Sequence, residues 1–371
     1  MRKTVSVPRF WLLLWGLAIS RPNYRYGLLP GLVSFFLLSG CQSAAFYTQA
    51  TVGQSELLWH SRPIGEVLAD PQTPEGIRQR LTLVESVRQF AGEVLSLPAN
   101  RSYRRYVDIE RDFVMWNVFA AAEFSVEPEL FCYPIAGCVG YQGYFNKADA
   151  VAFADSLAAQ GFDISIGPVA AYSTLGWFAD PVVSSVLNYS EPDLAGLVFH
   201  ELAHERVYIK DDTTFNESFA TFVEREGTRR WLASSGQQAD IPRLEKFQAQ
   251  RDAVIDLIRS ARSELQVLYM EGLSVEEMRW RKVAVFDQLQ ADYSEMRRAG
   301  DANDWRNWFD SNLNNAKLAS IGAYHDRVEF FEQLFERANR NFEVFYRLVE
   351  ELEGSPREDW ERSLPIIFQG G

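Results

Sequence analysis

His200 and His204 stand four residues apart with Glu201 directly after the first, in the segment His-Glu-Leu-Ala-His. On a helix, positions i and i+4 lie one turn apart on one face, so both imidazoles can reach a single ion. A glutamate next to the first histidine can approach a water on that ion without being a ligand. Zinc-assisted hydrolysis needs this arrangement. The ion lowers the pKa of its water to about 7, and the carboxylate takes the proton and passes it to the leaving amine. The expectation is that His200 and His204 bind one Zn2+ per chain and that Glu201 is the general base and acid. The chain has only four histidines, His60, His200, His204 and His325, so chance supplies such a motif in roughly one chain in 300 of this composition.

A helix must carry the motif, and its signals are present. Ser190 and Asp193 offer an N-terminal cap, Pro192 suits a first turn, and Leu194, Leu197, Val198 and Leu202 give an apolar face. A catalytic zinc takes three protein ligands and leaves a fourth position open. Downstream, residues 215–224 have helical apolar spacing and carry Glu217 and Glu224. Asp211 and Asp212 are rival carboxylates in the intervening segment. Thr214 with Glu217 also fits a capping-box signature, which would make Glu217 a cap partner.

His200-Glu201-Leu202-Ala203-His204 followed by Asn216-Glu217-Ser218-Phe219-Ala220 and Glu224 resembles the gluzincin peptidases, especially the alanyl-aminopeptidase type. The resemblance implies that Glu217 is the third zinc ligand. Glu224, two turns further on, would then hold His204 or its neighbours from behind. Several features depart from the large aminopeptidases: twelve residues between His204 and Glu217, charged Glu205 and Arg206, no GxMEN segment for a substrate amine, and a shorter chain. The whole resembles more closely a smaller family of bacterial proteins described as putative aminopeptidases, with a lipoprotein signal, an AYSTLGW-like segment and HELAHE. Peptide bonds are the implied substrate. A metalloendopeptidase, or a non-catalytic envelope chaperone or assembly lipoprotein on a zincin scaffold, are the alternatives; an intact Glu201 speaks against the last.

Zincins hold peptide as an added strand on a sheet edge before the metal helix. Residues 169–177 stand in that place, with Ala171, Tyr172, Ser173 and Thr174 small or polar enough to let a backbone approach. The oxyanion needs a donor besides the metal. Tyr324, next to His325 and preceded by Asn314 and Asn315, is the expected source, with Tyr208 as a rival. His60 has no evident partner and reads as structural or exposed.

These residues need a scaffold, and the patterns outline one. A helix is expected from Thr73, with Pro74 in its first turn and Glu75 beside it, through Leu95, ended by Pro98. Strand-compatible residues run from Val107 to Phe119 and again over 139–145, a helix covers 147–160 up to Gly161, and 162–166 alternates as a strand. Residues 42–72 read as an irregular arm. Beyond 190 the chain reads as helical, with segments 242–269 and 274–298 forming a hairpin around Gly272, and Ser274 with Glu277 opening the second. Further helix is expected over 312–346, and residues 364–368 read as a tail that docks back. The fold class is α+β, mainly α, with a zincin-like arrangement of a small sheet before the metal helix. The expected parts are a signal peptide over 1–40, an α+β part over 41–190, the metal helix pair over 191–235 and a helical part over 236–371.

Basic residues up to Arg25 precede the apolar run 28–38, which ends in Ser39-Gly40-Cys41. This looks like a bacterial lipoprotein signal, with Cys41 lipidated and Gln42 sending the protein to the outer membrane, facing the periplasm. An uncleaved anchor over residues 11–19 is the alternative. In that oxidising compartment Cys132 and Cys138 are expected to form a disulfide. The net charge is −13. Without the five basic residues of the first forty (Arg2, Lys3, Arg9, Arg21, Arg25) it becomes −18, which argues against a nucleic-acid partner.

Overall fold

In the computed structural model, residues 30–133, 137–171, 174, 178–352 and 360 are described, with backbone only for 30–44 and Ala323. Residues 1–29 of the expected signal peptide 1–40, the Cys41 side chain, Tyr172, Ser173 and residues 364–368 lie outside the described residues. Contacts divide the chain at Tyr47 and Thr48, and the architecture below is that of residues 48–371. The segment read as an irregular arm is ordered. Helix α1 (Pro30–His60) is followed by strand β1 (Arg62–Pro63) and helix α2 (Ile64–Ala69). Tertiary contacts explain this. Gln49 donates to Gly143 O and accepts from Phe145 N, both at 3.2 Å, and Leu57 is buried. A Cβ on Gly53 would lie 2.2 Å from the Phe145 ring.

Helix α3 (Glu75–Glu93) buries Leu81, Val84, Val87 and Ala91, a single stripe at helical spacing. Next come β2 (Arg105–Val107), β3 (Met115–Ala122), β4 (Phe131–Tyr133), β5 (Gly137–Val139), β6 (Gln142–Tyr144), α4 (Lys147–Ala158), β7 (Phe162–Val169) and β8 (Val182–Val183). They form a β1-β2-β8 sheet, a β6-β3-β7 sheet and the β4-β5 hairpin. In that hairpin Cys132 and Cys138 are directly opposed and joined by a disulfide. Strand β7 runs antiparallel to β3 and leaves one edge unpaired. Its residues 164, 166 and 168 turn their backbone to that edge. Ile164 O accepts from Asn314 Nδ2 at 2.8 Å, and Ala120, opposite Ile164, gives its carbonyl to Glu129 on the far side. Pro168 is tolerated here because an edge residue needs no N–H toward β3.

The rest is helical: α5 (Glu191–Arg206), α6 (Thr213–Ser234), α7 (Ile241–Met270), α8 (Val275–Ala299), α9 (Arg306–Phe309), α10 (Asn315–His325), α11 (Val328–Arg337) and α12 (Phe342–Glu350). The protein is therefore α+β and mainly helical. Ser274 caps α8 through Glu277 N, and Gly272, at φ 68°, turns the α7–α8 hairpin. One core joins α3, α5, α6, α11 and α12 around Phe199, Phe215, Phe219, Phe331 and Phe345. A second fills the space between α7, α8 and α10. Among the described residues no helix is long and apolar enough to cross a membrane.

Candidate metal centre

Helices α5 and α6 bring the motif residues together because glycines let them approach closely. A Cβ on Gly196 would meet Thr228 Oγ1 at 3.0 Å and Glu224 Cγ at 3.1 Å. One on Gly227 would meet Leu95 at 2.8 Å and the Phe199 ring at 2.9 Å. Ser190 caps α5 by accepting from Asp193 N. Asp212 caps α6 by accepting from Phe215 N, so Thr214 lies inside the helix and the capping reading of Glu217 does not hold. Between the helices Asn216 clamps the connecting loop, accepting from Ile209 N at 2.8 Å and donating to Ile209 O at 2.7 Å.

The result is a buried cluster of His200, His204 and Glu217 that could hold a metal ion. His200 Nε2 lies 3.2 Å from His204 Nε2 and 3.3 Å from Glu217 Oε2, and His204 Nε2 lies 3.4 Å from the same oxygen. Ligand atoms about 2.0–2.1 Å from one tetrahedral cation stand about 3.3 Å apart, so the donor set fits such an ion. Asp211 and Asp212 do not compete for it. Asp211 accepts from Cys138 N at 2.6 Å, and Asp212 pairs with Arg327 at 2.9 Å.

Glu224 engages His200, not His204: its Oε2 accepts from Nδ1 at 3.1 Å. That holds the ring with Nδ1–H toward Glu224 and Nε2 turned to the shared centre, where a cation would take the place of a proton. Burial opposes charge on His200, but Glu217 and Glu224 outweigh it and push the imidazole up to about 10. Burial likewise opposes charge on Glu217, yet His204 and His200 hold its carboxyl at about 2. Glu201 is pushed upward by burial, which its two histidine neighbours only partly offset.

A cleft of about 680 Å³ opens onto the cluster, lined by residues that include Pro168, Ala171, His200, Glu201, Tyr324 and Arg251. Tyr324 is brought to the centre, its ring stacked 6.4 Å from that of His200. Tyr208 and Tyr141 sit within electrostatic reach of Glu217. Burial pushes Tyr208 up to about 12 and Tyr141 and Tyr324 well above the ordinary phenol range, so all three remain O–H donors at neutral pH. Of the segment 169–177 expected to hold substrate, Val169 ends β7 and lines the cleft with Ala170 and Ala171, while 172, 173 and 175–177 lie outside the described residues. Thr174 is in no strand: its N and Oγ1 both bind the Asp180 carboxylate, at 2.7 and 2.9 Å. His60 hydrogen-bonds Glu56 O, far from the cluster in sequence and exposed. Asn314 and Asn315 act structurally, as the α10 cap and a brace to Ala122 and Glu123.

Sequence reasoning missed Tyr141 and Arg251. Tyr141 belongs to an aromatic–glycine alternation that marks strands and nothing more. Arg251 is one charge among many on a long amphipathic helix.

A family model described as "Putative aminopeptidase" matches residues 45–364. No curated protein and no solved structure matches the chain.

Proposed function

The chain belongs to the putative aminopeptidase family, and from that premise we propose that it is a zinc-dependent metallopeptidase of the gluzincin type. The observation that carries the reading is the spacing of His200 Nε2, His204 Nε2 and Glu217 Oε2, each 3.2–3.4 Å from the others, with Glu201 on the same cleft. Two imidazoles and one carboxylate are a donor set that suits zinc and leaves a position open. When bound, the ion supplies Lewis acidity toward water and the scissile carbonyl.

The chain's own residues do the rest. Peptide lies extended along the free edge of β7, where Ile166 and the Pro168 carbonyl present unpaired backbone groups. Glu201 takes a proton from the attacking water at its carboxylate and returns it to the leaving nitrogen. Tyr324 donates its O–H to the oxyanion, with Tyr141 and Tyr208 as neighbouring phenols. Glu224 keeps His200 in the tautomer that the centre needs. We place the protein in the bacterial envelope, lipid-anchored through Cys41 at the outer membrane. The Ser39-Gly40-Cys41 sequence and the Cys132–Cys138 disulfide support that placement, since disulfides persist in oxidising compartments.

Protein expressed from Gln42 is expected to hold one zinc per chain and to cleave peptides. Glu201→Gln should keep the zinc and lose about 10²- to 10⁴-fold in kcat, and Tyr324→Phe about 10²- to 10³-fold. Substrates with free and blocked amino termini, assayed side by side, separate exopeptidase from endopeptidase action. Absence of stoichiometric zinc, or equal rates in Glu201→Gln, would sink the reading.

A further inference from the structure

Arg251 lines the cleft that holds His200 and Glu201. It lies on α7, and among the described residues its guanidinium makes no hydrogen bond or ion pair; its Nε is buried and unpartnered. Burial and the charge of Arg225 work against its protonation, and Glu224, Asp252 and Asp193 only partly offset them, without direct contact; a guanidinium nevertheless stays charged at any pH at which a peptidase operates. A half-buried guanidinium whose donors lack a hydrogen-bonded acceptor favours a ligand that supplies one.

The carboxylates nearby are already committed. Asp252 takes both nitrogens of Arg225, at 3.0 and 2.5 Å. Glu224 holds His200 Nδ1, and Asp193 accepts the Ser190 hydroxyl at 2.6 Å. His325 lines the same cleft, its Nδ1 also buried and unpartnered. Burial and the charges of Arg251 and Arg225 hold that imidazole well below its ordinary range, so it adds no cation but also supplies no negative charge. A substrate amine would need a spare carboxylate, and Glu201, Glu224 and Asp193 all have other tasks. Among the described residues of this cleft, Arg251 is the charged donor left without a hydrogen-bonded acceptor.

We propose that Arg251 binds a carboxylate of the substrate and so determines which peptides are held across the centre; this rests on the peptidase reading. The carboxylate belongs either to an acidic side chain or to the peptide's C-terminus. The planar fork of a guanidinium suits either, since it offers two parallel N–H donors to two oxygens.

Two matched pairs of peptides distinguish the sources. One pair carries Glu or Gln beside the scissile bond with the C-terminus amidated. The other has uncharged side chains and a C-terminus that is free or amidated. In one pair kcat/KM should favour the carboxylate form by about 10- to 100-fold. Arg251→Gln should bring that ratio to about one, whereas Arg251→Lys, a point charge without the fork, keeps part of it. A wild-type protein that ignores the carboxylate in both pairs, or a preference that persists in Arg251→Gln, overturns the proposal without any variant having to be inert. Calorimetric binding of the same peptides to zinc-loaded Glu201→Gln protein reads the ratio independently of turnover. Carboxylate-dependent binding with no turnover by the wild type overturns the peptidase reading alone. Turnover without carboxylate preference overturns the role of Arg251 alone, and the absence of both overturns the two together.

Discussion

His200 is gripped from two sides, by Glu217 at Nε2 and by Glu224 at Nδ1. Only the first contact belongs to the ligand cluster. The second sets the ring's orientation and tautomer, and such partners of ligating histidines are typically worth 10- to 100-fold in metal affinity. Glu224→Ala is therefore expected to weaken zinc binding by about that factor, measured by chelator competition. Unchanged affinity would mean that packing alone orients the ring. Position along the helix did not reveal which histidine Glu224 would serve. Both histidines lie on the same face of α5, and the choice depends on the offset between α5 and α6, which no local pattern encodes.

That offset is a property of the helix pair. Gly196 on α5 and Gly227 on α6 remove the side chains that would hold the axes apart. In an exposed helix, Gly→Ala stabilises by about 1 kcal/mol because alanine is the better helix former. At Gly227 the sign should reverse. The new Cβ would stand 2.8 Å from Leu95 and 2.9 Å from Phe199, both in the core, and overpacking of this kind costs about 1–3 kcal/mol. Gly227→Ala should therefore lower Tm and weaken zinc binding together, since Glu217 and Glu224 ride on the displaced helix. A rise in Tm would show that the helices have room to spare. Element identities themselves were readable in advance. Ser190, Pro192 and the apolar stripe announce α5, and Ser274 announces α8. The first arm was misread because α1 beyond residue 47 is held by Gln49, Gly53 and Leu57 against distant residues and has little local signal of its own.

Across the fold, Asp180 ties separate segments together. Its carboxylate binds Thr174, and its carbonyl accepts from Tyr103 N at 2.6 Å. Burial raises this carboxyl from 3.8 to about 6, against the hydrogen bonds from Thr174. The folded state therefore holds a proton that the unfolded chain releases between those values. The stability this contributes is complete below about pH 4 and is lost as pH rises through about 6. Asp180→Asn keeps an acceptor for Thr174 without the charge. Relative to wild type it should gain on the order of 1–3 kcal/mol at pH 7.5 and nothing at pH 4. Denaturant unfolding at the two pH values checks this, and a difference that does not change with pH would assign the burial no electrostatic cost.

Helical period alone guaranteed that His200 and His204 share a face with Glu201 beside them, because a four-residue spacing on a 3.6-residue turn leaves no alternative. Capping residues and strand alternation were likewise local and legible, as was the pairing of two cysteines across a short hairpin. What only the tertiary structure decided is everything that converges on that face from elsewhere. Glu217 meets the histidines in preference to Asp211 and Asp212 because Asp212 is taken up as the α6 cap and Asp211 turns to Cys138. Tyr324 and Arg251 reach the cleft from α10 and α7, and Tyr141 comes within electrostatic reach of Glu217 and Glu201 from the β5–β6 connection. Their separations in sequence are long, and their meeting depends on how helices pack across two cores, a matter of shape and volume that no short stretch of residues records.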